Sequence, residues 1–512
     1  DPSKAAKLYT PVCVGGAPGA GCVRRGMDPT LIGTVTPTLA NTVEERFINR
    51  LTPSSNPNRF NGSFQAGNGI TDQLQDGNAF RVSPRIGAVY DLTGKGETIL
   101  RGGFGIFYDR PQGNMVFDMI ANAPGVLNSR LDFGRLQDLT AAGSDPLPTL
   151  SLTPTVFGFK PPRVDQWNIG IQHKLIEEFI VDVAYVGSRS TDLLRQVQIN
   201  AVPFGATFLP QNQDPTRVPS ATLGSTALPN DFLRPYRGYG SIRMWDYSGY
   251  GDYKALQTSV TRRFARGFML SGFWVWSKAQ GINNDDFAAG VPNLSEEQTR
   301  ALDYGLLNYD RTHNFTVNAI YQTPTVTSNK GLGLLTNDWQ LSGVYRWTSG
   351  RPNTIGFSIP GIGAANLTGT DGNPNARIAL TCDPGIGYSS DPYKQFAHPE
   401  CFAPPQPGSN GNETPRFFAR NPPLNNLDLS VSKNFPIAHA VKFEIRVDIF
   451  NLLDKVEFTG LNSTVNFRSL TDRTITNLPY DAAGNLTQRN GFGTINGTAI
   501  PRTIQLVTRL TF

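Results

Sequence analysis

The sequence lacks any run of about 18 apolar residues, so no segment reads as a membrane-spanning helix. That absence leaves a membrane open to strands, because a spanning strand needs only ~9–11 residues and every second one can be polar. Charge is scarce too: 17% of residues are Asp, Glu, Lys or Arg, against about 25% in typical soluble domains. The net charge is only +5 over 512 residues. No dense basic patch of the kind a phosphate backbone requires is present, which excludes nucleic acid as a partner. Cysteine and histidine are rare, four of each, and neither CxxC spacing nor a zinc-like His–Cys cluster occurs. The chain has no GxSxG, HExxH or P-loop motif, and nothing marks a glycosidase's carboxylate pair. An enzyme is therefore not expected, and no cofactor or metal is implied. No signal peptide opens the chain at Asp1, and the start of the gene product is expected to lie upstream.

What the chain does have is turn formers and rings. It carries 52 glycines and 38 prolines, well above their average combined share of roughly 12%, and aromatics make up 10%. This is the profile of many strands joined by turn-rich links. Val441, Phe443, Ile445, Val447 and Ile449 alternate with Lys442, Glu444, Arg446 and Asp448. Period two with one charged face describes a strand wet on one side and apolar on the other. The same alternation recurs at Ile86–Leu92, Leu100–Tyr108, Trp167–Ile171, Phe179–Tyr185, Phe268–Trp276, Phe315–Tyr321, Trp339–Trp347, Leu427–Val431 and Ile504–Phe512. The count comes to about 11 strands.

Connection lengths alternate as well. The links after Leu92, Leu175, Phe264 and Asn434 are short, and that from Tyr321 to Trp339 is of middle length. Between these hairpins lie long links: 109–163, 186–253, 278–312, 349–426 and 452–501. Compact soluble domains seldom contain five links of about 30–75 residues, whereas outer-membrane barrels have short periplasmic turns and long extracellular loops. The fold expected is all-β, an antiparallel up-and-down transmembrane barrel. Apolar residues should face lipid, Lys442, Glu444, Arg446 and Asp448 should face the lumen, and Tyr90, Tyr108, Tyr185, Tyr321 and Trp276 should sit near the interfaces. Residues 1–80 are expected to form an outer loop region before the first strand, with 81–512 as barrel.

Several smaller features carry expectations. Cys13 and Cys22 bracket one loop-like stretch and Cys382 and Cys401 another. Two loop disulfides in an oxidising compartment are expected, with free thiols the alternative. His173 and His313 lie in strand positions and His439 in a short turn, and none of these nor His398 is expected to ligate a metal. Asp285 and Asp286 could bind calcium, though a solvated loop is the better reading. Arg262 and Arg263 should divide between boundary and lumen. The loop 234–253, with Tyr236, Tyr239, Trp245, Tyr247 and Tyr250, has rings and amides suited to a polar polymer, a peptide or an oligosaccharide, or else is plain flexible surface.

These segments resemble a known family. SPRIGAVYDLTGKGETILRGGFGIFYDR at 83–110 and YKALQTSVTRRFARGFMLSGFWVWSKA at 253–279 are similar to hairpins of the large TonB-dependent receptors of the Oar-like type, which carry a carboxypeptidase-regulatory-like domain at the N-terminus. So are WQLSGVYRWTSGRPNT at 339–354, the two segments within 424–458, and the closing PRTIQLVTRLTF. The resemblance runs in order over residues 80–512. It implies a plug inside a 22-stranded barrel in the outer membrane, and energy drawn through TonB. No plug or TonB-contacting segment is recognisable, so the chain is read as the C-terminal part of a longer receptor. Ile504, Leu506, Leu510 and Phe512 then resemble the terminal-strand signal read by the barrel-assembly machinery, with Phe512 expected to be the native end. A passive structural barrel, a surface adhesin and a secreted all-β enzyme are the alternatives.

Overall fold

Strict alternation gives each strand two unlike faces, and neighbouring strands must then match like face to like face. The computed structural model describes residues 6–54, 65–73, 80–110, 113–122, 126, 146–176, 178–282, 303–362, 367–371, 376–385, 389, 391–409, 411, 418–437 and 441–512. Asp285, Asp286 and His439 lie outside the described residues. Eleven strands form one antiparallel path in chain order. They are β1 (Arg85–Asp91), β2 (Thr98–Tyr108), β3 (Arg163–Ile176), β4 (Phe179–Gln198), β5 (Tyr239–Ala265), β6 (Phe268–Gly281), β7 (His313–Gln322), β8 (Trp339–Thr348), β9 (Leu424–Pro436), β10 (Lys442–Phe450) and β11 (Thr503–Thr511). Each pairs with its neighbour in sequence, as an up-and-down meander does. The sheet is open: among the described residues no ladder joins β1 to β11.

The registers keep one parity from edge to edge. Tyr90 lies opposite Leu100, Leu100 opposite Ile171 and Ile171 opposite Val183. Farther along, Tyr321 faces Leu341, Leu341 faces Val431, Val431 faces Val447 and Val447 faces Leu506. No second layer covers these side chains. Ile86, Tyr90, Ile169, Ile171, Tyr185, Trp276, Tyr321, Ile504, Leu506 and Leu510 are all exposed. A broad exposed apolar face marks a binding or membrane surface, and β7 and β8, of 10 residues each, match the ~9–11 needed to span a bilayer. Gly187 shows how tightly this face is finished. A Cβ there would lie 2.3 Å from the indole of Trp167, so the ring covers the strand opposite a residue that must have no side chain.

The opposite parity is polar. Gln505 faces Asp448, Arg509 faces Glu444, Ser430 faces Asp448 and Ser432 faces Arg446. On the same face Arg101 pairs with Asp182 at 2.6 Å across two ladders.

Two strands run far past a bilayer. β4 has 20 residues and β5 has 27, and they remain paired up to Gln198 and Arg243. Residues 186–198 and 239–252, expected to belong to a link, are therefore strand. Register shifts at Asp246/Gly249 and Gly249/Gly251 interrupt the alternation there, and above the lipid neither face needs it.

Candidate functional site: the polar face and its folded cap

The long connections all leave from the same end of the sheet, and many of their described residues are packed and bonded to one another. Ile355, Phe357, Ile359, Leu367, Ile378, Phe396, Phe402, Leu461, Val465, Phe467 and Phe492, from the links after β8 and β10, form one buried core. Phe396 stacks on Phe492 at 4.7 Å, and Phe402 meets both rings edge-on at 5.4 and 5.2 Å. Burying a Phe in such a core is worth about 1.5–3 kcal/mol, so these links form a miniature domain. Cys382 is bonded to Cys401 beside this core, and Cys13 to Cys22 in a hairpin of Thr10–Val14 with Val23–Met27.

A second part of the cap joins that hairpin to the link between β4 and β5. Arg24 bridges Asp214 at 2.8 Å and Glu45 at 2.6 Å, and donates to Thr216 Oγ1 at 3.0 Å. Burial alone would depress its guanidinium, but the hydrogen bonds to Asp214 and Glu45 outweigh it and raise the pKa. Asn49 donates to Asp231 at 2.8 Å, and the Leu51 amide to the Leu147 carbonyl at 2.9 Å. At the centre sits Asn200, with no exposed surface. Its Nδ2 donates to the carbonyls of Gly240, Tyr236 and Tyr239, and its Oδ1 accepts the Tyr236 amide at 2.7 Å. Arg234 donates to the Asn200 carbonyl at 2.6 Å and binds Asp231 and Asp371. Asp371 lies between Leu367 and Ile378 of the core described above, so an ion pair joins the two parts of the cap.

The cap is fastened to the strand tops. Asp310 accepts the Ala279 amide of β6 at 2.7 Å and Arg420 at 2.5 Å. Tyr304 stacks on Tyr250 of β5 at 5.7 Å and donates to Asp252 at 3.0 Å. Burial first, then that hydrogen bond, pushes the Tyr304 phenol up to about 12.

Placement divides the expected ligand-loop rings. Tyr236 is exposed, but Tyr239, Trp245 and Tyr247 are at most 7% exposed. Trp245 donates to Asp118 at 3.2 Å, and Tyr247 packs edge-on against Phe159. Those three are corrected from stacking platforms to packing residues: they lie in the paired part of β5, where a ring facing another segment is buried. Tyr250 is half-buried. Lys442, Glu444, Arg446 and Asp448 share the polar face, with Asp448 taking bonds from Arg446 at 3.1 Å and Ser430 at 2.6 Å. Arg262, by contrast, shares parity with Leu256 and sits at the short-turn end of the apolar face. It is held there by Glu178 and lies over the rings of Phe179 and Phe268. His173 contacts Thr98 at 2.8 Å and His398 contacts Glu400 at 3.1 Å. Among the described residues, no three His, Cys, Asp or Glu side chains gather as a metal site. Sequence reasoning missed the cap core, although Ile355, Phe357 and Ile359 do alternate and were the signal available.

Three solved structures align with most of this chain. The outer membrane transporter YddB from Escherichia coli aligns with 84% of this chain and 41% of its own, at 12% identity and a TM-score of 0.42. The ferric enterobactin receptor PfeA from Pseudomonas aeruginosa gives 84%, 40%, 11% and 0.38. The ferripyoverdine receptor of the same organism gives 84%, 33%, 11% and 0.36. The chain thus spans about two fifths of the length of the first two. No curated protein matches. The family model described as an outer membrane beta barrel domain covers residues 36–505, nearly the whole of the chain, with β1 to β10 in full and the start of β11. An alternating, uncovered apolar face, a polar reverse and links that alternate between short and long are what that family requires, and this chain belongs to the outer membrane beta-barrel domain family, with its place in the outer membrane.

Proposed function

We propose that the chain is the C-terminal barrel portion of a TonB-dependent outer-membrane receptor of the Oar-like type, which captures an external ligand with its cap and passes it through a plugged lumen. In this reading the long connections face the medium, the short turns the periplasm, and the polar parity of β1–β11 lines the lumen against a plug supplied by the rest of the protein. Bond-breaking plays no part. Ligand is a polar polymer, a peptide or an oligosaccharide, and the terminal strand with Ile504, Leu506, Leu510 and Phe512 serves assembly. One observation carries the reading: the links after β8 and β10 fold around an apolar core of their own, at one end of a sheet whose inner parity is polar. A passive barrel needs no such investment in ordered backbone, which costs about 1–2 kcal/mol per residue.

Uptake tests it. Fluorescent peptide and oligosaccharide mixtures are offered to cells with and without the gene, and with and without TonB. Gene-dependent accumulation that disappears without TonB supports the receptor. Gene-dependent surface binding that is indifferent to TonB identifies an adhesin instead.

A further inference from the structure

The apolar face ends, on the side of the long links, in a belt of rings. His313 lies 5.9 Å from Trp274, 6.3 Å from Trp276 and 6.0 Å from Trp347, nearly parallel to the first two. In register this belt is the row Tyr185–Leu256–Trp276–His313. Rings in this position mark the boundary between hydrocarbon and headgroup.

One rung further from the bilayer the side chains on this face turn cationic. Lys254 lies directly opposite Lys278, and both are exposed. Opposed residues on a sheet stand ~4.5–5.5 Å apart at Cβ, and like charges there repel. The Ser277 amide donates to the Thr312 carbonyl, and Ser277 Oγ to that of Arg311, each at 2.8 Å. These bonds carry the pairing on to Arg311, which adds a third cation beside Lys278. Burial, then the neighbouring Arg351 and Arg420, holds the Arg311 pKa below its usual value, as expected where cations crowd. The nearby carboxylates are already engaged. Asp252 accepts Tyr304, Asp310 accepts Arg420 and the Ala279 amide, and Asp165 pairs with Arg163. Among the described residues no ion pair joins Lys254, Lys278 or Arg311 to an acid. On the other side of Lys254 stands Gly187, which has no side chain of its own and is covered by the indole of Trp167, so the ledge is bounded there by a ring and carries no acid.

We propose that Lys254, Lys278 and Arg311 form a ledge that binds the phosphate of a lipid headgroup in the leaflet facing the long links, with its acyl chains lying against Leu256 and Trp276. A phosphate between the two lysines removes their repulsion and adds charge-assisted bonds, and the belt below supplies the apolar contact that a soluble phosphate cannot use. This rests on the orientation proposed above, in which that leaflet is the outer one.

The test uses the full protein in detergent micelles, with bisphosphorylated lipid A, its dephosphorylated form and inorganic phosphate as probes. The native protein should bind bisphosphorylated lipid A about thirtyfold more tightly than the Lys254→Gln/Lys278→Gln variant, from roughly a fivefold loss at each lysine. The Lys254→Arg/Lys278→Arg variant should bind like the native protein, and inorganic phosphate should compete weakly. Heat-modifiable migration on gels verifies that each barrel is folded. Equal affinity of the glutamine variant, or of the dephosphorylated lipid, overturns the ledge. Protease cleavage of the long links on intact cells tests orientation separately, so a failure of the ledge and a failure of the orientation give different results.

Discussion

At the scale of single residues, the cap is held by polar groups whose charge state depends on burial, and Tyr304 makes this measurable. Its phenol must stay neutral to donate to Asp252 while stacked on Tyr250. The folded pKa, about 12, stands above the ordinary 10.0, so the fold holds this proton more tightly than the unfolded chain does. The stabilisation is therefore fully present below pH 10.0, and it is lost as pH rises through about 12. The expected outcome is that the ultraviolet phenolate titration of the native protein, minus that of Tyr304→Phe, shows a single phenol ionising near pH 12. The native cap should also lose protease resistance over this window more steeply than the variant. A difference titration centred on 10.0 would show that Tyr304 is solvated and that its contact with β5 does not hold the cap.

At the scale of elements, lipid decides which strands can be read. Where both faces are committed, as in β7 to β11, alternation is clean, and the strands, their order and their parity were legible from the residues alone. The signal ends where the lipid ends. Ser188, Ser190, Gly249 and Gly251 continue β4 and β5 as paired strand, yet they carry no alternation, because water or cap lies on either side. The cap was illegible for a related reason. Its core draws on short pieces such as Gly356–Ser358 and Thr464–Asn466, about a hundred residues apart in sequence and paired in parallel, and no local period records a non-local contact. The two-faced reading also predicts substitutions. Ile171, on the exposed apolar face between Leu100 and Val183, and Gln172, on the polar face between Ile99 and Asp182, are adjacent in β3. Ile171→Arg should lower the stability of the barrel in vesicles by about 1–3 kcal/mol, between the values for arginine at the interface and at the bilayer midplane, while Gln172→Arg should change it by less than about 0.5 kcal/mol. Guanidinium titrations of both variants in the same lipid decide this, and comparable losses would mean that the faces are assigned the wrong way round.

At the scale of the whole molecule, the two edges of the sheet set the problem. Backbone donors and acceptors along β1 and β11 have no partner strand among the described residues, and in hydrocarbon each unsatisfied group costs several kcal/mol. Every neighbouring pair on the path is antiparallel, and eleven strands is an odd number, so β1 and β11 run in the same direction. Direct closure would need a parallel seam, whereas bacterial single-chain barrels have even strand numbers and antiparallel seams throughout. An antiparallel closed barrel therefore requires an odd number of further strands between these edges, and eleven more would give the 22 that the family resemblance implies. The prediction is a negative cross-link. In the protein assembled in its own outer membrane, cysteines placed by Ile86→Cys on β1 and Leu506→Cys on β11 should not join through a short bifunctional maleimide. A control pair on an observed ladder, Leu506→Cys with Val447→Cys, which stand opposite each other, should join readily. Efficient joining of the first pair within one chain would establish an eleven-stranded barrel with a parallel seam, and the lumen would then be too narrow for the plugged pathway proposed here.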